Sequence, residues 1–169
     1  MKDEIINKVE QSGLIQFDLA SHWPADIVVE EYDLSHDLWQ GLAVKEKAFR
    51  SKLKETDWSF YANKHVALHC SADAIVPIWA YMLVTKYLNE HATKVTYGTI
   101  IELNNAIIKE VIESLDIAKY RDSRIIIKGC ADLNIDESAY VELMNKLQPV
   151  AKSIMFGEPC STVPLFKRK

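Results

Sequence analysis

The stretch HVALHCSADAIVPIWAYMLVTKYL, residues 65–88, decides how this chain is read. VALHC is small, β-branched and apolar without alternation, the pattern of a strand buried on both faces. Pro77 suits the first helical position, where a missing N–H has no partner to lose, and Trp79, Ala80, Leu83 and Tyr87 follow at helical spacing. Residues 71–76 are then the loop from strand to helix. Strands alternating with helices in this way favour a mostly parallel sheet covered by helices.

A second copy of the pattern begins fifty-nine positions on. Laying residues 57–88 over 116–147 without a gap pairs Asp57 with Asp116, Tyr61 with Tyr120, Asn63 with Asp122, Val66 with Ile125 and Leu68 with Ile127. The match continues through Ala72/Ala131, Asp73/Asp132, Val76/Ile135, Ala80/Ala139, Tyr81/Tyr140 and Leu88/Leu147. Periodicity forces the apolar matches into register, but it does not require the Asp or Tyr pairs. We therefore expect an internal repeat. The chain reads as one α/β domain built from a duplicated strand-helix-strand-helix unit, with an N-terminal arm at 1–25, a first repeat at 26–92, a second at 93–149 and a C-terminal strand and tail at 150–169.

Outward from that pair, residues 1–13 read as a short amphipathic helix, LIQFDLA as a short strand and IVVEEYDL as the first major strand. Leu42, Ala48, Phe49 and Leu53 form a narrow apolar stripe on a helix whose Lys45, Lys47, Arg50, Lys52 and Lys54 are expected to face water; an anion-binding face is the alternative. KVTYG is a strand opening the second repeat, and Thr99 with Glu102 is a capping-box signature for the helix that follows. RIIIKG is the next strand, and SIMFGEPCSTVPLFKRK reads as strand, turn and basic tail.

With 169 residues, 49% of them hydrophobic, the chain can bury about 70% of its unfolded surface without a disulfide or metal staple. A formal net charge of -4 offers no global field for nucleic acid or an anionic membrane. No run approaches the roughly 20 apolar residues of a membrane span, and the N-terminus lacks a signal-peptide core. The expectation is a cytoplasmic protein with no nucleic-acid or membrane partner. Three cysteines are an odd number, which points to thiols in a reducing compartment.

Ligands of open parallel sheets bind beyond the carboxyl ends of the strands. Cys70 and Cys130 fall there, and Cys160 does too if the strand before GEPC joins in parallel. With Asp73 and Asp132 they make the candidate metal set, for zinc or an iron-sulfur cluster, with His69 or Glu158 as further donors. The spacing lends little: no CxxC is present, and Cys70 aligns with Gly129 while Cys130 aligns with Ser71. A second chemistry is a Cys70 nucleophile activated by His65 or His69. Each element has a plainer reading as well, packing for the cysteines and helix capping for Asp73 and Asp132.

The motifs CSADAIVPIWAYML, IKGCAD with AY following, FGEPCSTVP, GLAVKEKAFR and DW resemble those of the domain of unknown function 2480 family, found in bacteria of the Bacteroidetes group, over nearly the whole chain. The resemblance brings no assigned activity and no catalytic residue. It implies a cytosolic thiol or metal-site accessory protein linked to iron-sulfur cluster assembly, and not a turnover enzyme. VALHCSADAIVPIWAY is also similar in rhythm to anti-sigma-factor antagonist and sulfate-transporter-type domains, although their phosphorylatable serine pair is missing. That resemblance implies the alternative: a non-catalytic interaction or regulatory module without metal, taking a protein partner, a second copy of the chain included.

Overall fold

The computed structural model describes residues 14–129 and 135–169, so the helix expected at 1–13 lies outside the described residues. The chain is mixed α/β and divides into two compact units, a split one of residues Met1–Trp23 and Ile107–Lys169 and a continuous one of Pro24–Ala106. Its strands form two sheets, each mostly or wholly parallel. One sheet was expected.

The split unit opens with strand β1 (Leu14–Asp18), after which the chain enters the continuous unit. There β2 (Val29–Asp33), helix α1 (Glu46–Glu55), β3 (His65–His69), α2 (Ile78–Leu88) and β4 (Lys94–Tyr97) follow one another. The sheet order is β2-β3-β4, all parallel, with Val29 beside His65 and Val66 beside Val95. Val66 and Leu68 pack with Ala80, Val84 and Leu88 of α2 and with Phe49 and Leu53 of α1. Ala67 turns the other way and is also fully buried, as the uninterrupted apolar run of β3 predicts. Each such Val or Leu contributes about 1.5–3 kcal/mol on leaving water.

α1 is shorter than its apolar stripe suggests. Leu42 is 63% exposed and precedes the helix, leaving Phe49 and Leu53, one turn apart, as its buried pair. The basic residues at 45, 47, 50, 52 and 54 all face water, as expected. KVTYG is a strand, but its hydrogen-bonded neighbour is β3, so the segment assigned to open the second repeat completes the first sheet.

Helix α3 (Ile100–Ser114) leads back to the split unit, which continues with β5 (Arg124–Lys128), α4 (Glu137–Leu147), β6 (Ser153–Glu158) and β7 (Ser161–Lys167). Thr99 N–H donates to Glu102 Oε2 at 2.7 Å, the capping box read from the sequence. The sheet order is β1-β5-β6-β7, with β1, β5 and β6 parallel and β7 antiparallel to β6. Phe17, Ile125, Ile127 and Ile154 pack with Ala139, Leu143 and Leu147 of α4 and with Ile108 and Ile112 of α3. The basic tail is therefore largely a strand; Pro164 is tolerated because β7 is an edge and its register shifts between Ile154 and Met155.

Both units run strand, helix, strand, helix, strand in the same spatial order, although β1 is separated from its helix by the whole continuous unit. Asn63 and Asp122, which the alignment pairs, both take left-handed backbone, φ 60° and 54°. Their N–H groups donate to His91 O at 3.1 Å and Val150 O at 2.9 Å, again fifty-nine positions apart.

Candidate functional site

At the carboxyl end of β2, Asp33 ties two strands together. Its Oδ1 accepts from Ser35 N at 2.9 Å and Ser71 N at 3.0 Å, and its Oδ2 accepts from Ser71 Oγ at 2.5 Å. Desolvation works against ionisation, yet the Ser71 and Ser35 bonds outweigh it and hold the carboxyl well below the usual carboxylate range. With three donors satisfied, this carboxylate is a brace and not a free base. The signal was in the sequence as Asp-x-Ser or Asp-x-Ala, which also caps the short turns after Asp57 and Asp116 and the start of α4 after Asp136.

Nearby, Tyr32 Oη donates to Asp37 Oδ2 at 2.5 Å while Lys52 Nζ sits 2.7 Å from Asp37 Oδ1. Burial, with the Asp37 bond and charge added to it, pushes the Tyr32 phenol far above its ordinary range. The adjoining cleft, about 480 Å³ and edged by Glu30, Glu31 and Lys52, thus has its deepest acid already neutralised.

Of the sequence-predicted set, Cys70, Asp73 and Cys160 are among the described residues. Cys70 directly follows β3, half-buried against the α2 side of the core, and its thiol donates weakly to Ala72 O at 3.8 Å. Asp73 is exposed in the next loop, and α2 begins at Ile78 without a side-chain cap, so the capping role is not filled there. Cys160 is exposed in the turn between β6 and β7; the strand before it does run parallel to β5, as its placement required. Cys130 and Asp132 lie outside the described residues. Cys70 and Asp73 thus belong to one sheet's unit and Cys160 to the other's. Among the described residues no group of three or more His, Cys, Asp or Glu side chains is placed to hold a metal ion.

The Cys70 nucleophile fares no better. His69 alternates to the opposite face, where its Nε2 lies 3.4 Å from Glu31 Oε2, near enough for attraction but without hydrogen-bond geometry. His65 Nδ1 is buried without a hydrogen-bond partner.

The continuous unit also carries an apolar groove. A groove of about 570 Å³ runs between α2 and β4, lined by Leu68, Ile78, Tyr81, Met82, Val95 and Tyr97, with Thr85, Lys86 and Asn89 at its polar margin. Ile78 is 79% exposed, Met82 68% and Tyr97 73%, in a chain where most large apolar side chains are covered. Tyr81 and Tyr97 meet edge to face across it at 5.4 Å. In the split unit the corresponding pair, Tyr140 and Phe156, also meets edge to face, but there β7 lies alongside β6 and Phe166 sits opposite Ile154, the position matching Val95. β4 has no such neighbour among the described residues.

None of the described helices is long and apolar enough to cross a membrane. No curated protein and no solved structure matches this chain. The family model described as protein of unknown function (DUF2480) matches residues 3–168, nearly the whole length, and the chain belongs to that family.

Proposed function

We propose that the chain is a non-catalytic protein-interaction module whose docking surface is the groove between α2 and β4. The observation that carries this reading is the contrast between two like edges, β6 covered by β7 with Phe166 over Ile154, and β4 open beside Ile78, Met82 and Tyr97. Contiguous exposed apolar surface beside a bare strand edge is a site for strand addition, in which backbone bonds supply affinity and alternate side chains fill pockets. The polar side chains at the groove's margin support the same reading, since Thr85 donates to Tyr81 O and Lys86 pairs with Glu90 within the unit.

The test is selection of a displayed random-peptide library on the full chain, with the Tyr97→Lys variant as counter-screen. The expected outcome is enrichment of extended peptides carrying large apolar residues at alternate positions, with binding lost on the variant. Equal enrichment on both proteins overturns the proposal. So does stoichiometric zinc or iron in the purified protein that disappears in a Cys130→Ser variant, the result that belongs to a thiol or metal-site accessory protein in iron-sulfur assembly.

A further inference from the structure

Resting on that reading of the groove, we propose that its occupant is a second copy of this chain, added edge to edge through β4 in an antiparallel two-fold arrangement. Gly98 N–H donates inward to Leu68 O at 2.9 Å, and peptide groups alternate sides along a strand. The N–H and C=O groups of Val95 and Tyr97 therefore point outward, away from β3. A two-fold axis through Thr96 places Val95 of each copy opposite Tyr97 of the other. Both positions then exchange N–H and C=O with their opposite number, giving four backbone bonds around a non-hydrogen-bonded Thr96 pair.

This register is self-complementary in its side chains. Val95 and Tyr97 lie on the groove side of the sheet, so each cross-strand pair joins a β-branched residue to an aromatic one, a favourable combination. Lys94 falls opposite Gly98 and not opposite its own copy, so no like charges face each other along the ladder. An isologous contact closes on itself as a dimer, whereas docking of a β7-like strand from another copy would give a ring or a filament. The split unit supplies the precedent within the same chain: an antiparallel strand at the matching edge, with its side chain over Ile154. β4 is four residues long, which makes the paired surface small beside a standard interface, so the expected dimer is weak, with Kd on the order of micromolar or above.

Sedimentation equilibrium of the full chain from about 10 μM to 1 mM reads the association directly. The expected result is a reversible monomer–dimer equilibrium whose Kd rises at least tenfold in Tyr97→Lys and in Met82→Glu, both exposed positions where circular dichroism should remain that of the parent. A Thr96→Cys substitution in a Cys160→Ser background then tests the register. Non-hydrogen-bonded pairs stand about 4.5 Å apart at Cα, within disulfide reach, so mild oxidation should give a dimer linked through position 96, identified by mass spectrometry. A chain that stays monomeric at 1 mM, a dimer indifferent to both charge variants, or a dimer without the position-96 linkage overturns the inference. The peptide selection reads independently of these outcomes, so loss of the dimer with peptide binding retained would leave the docking groove standing with a different occupant.

Discussion

Asp33→Ala should destabilise the continuous unit more than the same change at any of the chain's other short-turn aspartates. Its bond to Ser35 N is a local cap, worth about 1 kcal/mol when an Asp cap is truncated. The two bonds from Ser71 span 38 residues and join the ends of β2 and β3. Bonds to a charged acceptor contribute about 1.5–3 kcal/mol when buried. Here Ser71 is exposed and water competes, which discounts each to about 0.5–1 kcal/mol. The sum is about 2–3 kcal/mol, against about 1 kcal/mol for Asp116→Ala, whose carboxylate caps only Ala118 N.

Urea unfolding followed by tryptophan fluorescence measures the loss, since Trp39, Trp58 and Trp79 lie in the continuous unit and Trp58 is buried in its core. The double mutant Asp33→Ala/Ser71→Ala should be less destabilised than the sum of its parts by about 1 kcal/mol. The pH dependence has a definite sign. Because the folded carboxyl titrates below its unfolded value, its contribution is complete above the ordinary carboxylate range and is lost as pH falls beneath it toward the folded value. Asp33→Asn, which can still cap Ser35, should therefore flatten part of the stability decline between neutral pH and strong acid. Equal costs for Asp33→Ala and Asp116→Ala, together with zero coupling to Ser71, would refute the brace.

Gly98→Ala should cost more than Thr99→Ala, which loses one cap worth about 1 kcal/mol: Gly98 has φ 128°, and a Cβ there would stand 2.7 Å from Glu102 Oε2, so both backbone strain and the capping box are hit; thermal unfolding ranks the two. Cys160, exposed in its turn, should alkylate with iodoacetamide before half-buried Cys70, as peptide mapping by mass spectrometry would show; prior modification of Cys70 would contradict its packing against the core. Phe166→Ala removes a partly buried ring from beside Ile154 and should destabilise the split unit by about 1.5–3 kcal/mol, read by urea unfolding through Trp23.

The elements were largely legible in the sequence because their signals are local. VALHC reads as a strand from composition alone, and Thr99 with Glu102 marks a helix start within four residues. Strand partners are a different kind of information. β1 pairs with β5 across 110 positions, Leu14 beside Arg124, and nothing in LIQFD distinguishes that partner from any other parallel strand. KVTYG is read as opening the second repeat, whereas its hydrogen-bonded neighbour is β3, since a strand between two helices can close the sheet before it or open another after it.

The groove was hidden by that same gap. Ile78 and Met82 are one turn apart on α2, but the helical face read from the sequence is Trp79, Ala80, Leu83 and Tyr87, which leaves both residues unassigned. They are exposed because α2 presents Ala80, Val84 and Leu88 to the sheet while Ile78 and Met82 line the groove beside β4, beyond which this sheet has no further strand among the described residues. Whether such residues are core or surface depends on strand order, which periodicity does not encode. Selection against aggregation ordinarily removes apolar side chains beside an open strand edge or covers the edge with charge or proline. β4 carries one charge, Lys94, but keeps Val95 and Tyr97 and lacks proline, while the matching edge of β6 carries a whole additional strand. An apolar edge left uncovered by the described residues, and covered at its counterpart in the same chain, is the arrangement expected of a surface whose cover arrives from another molecule.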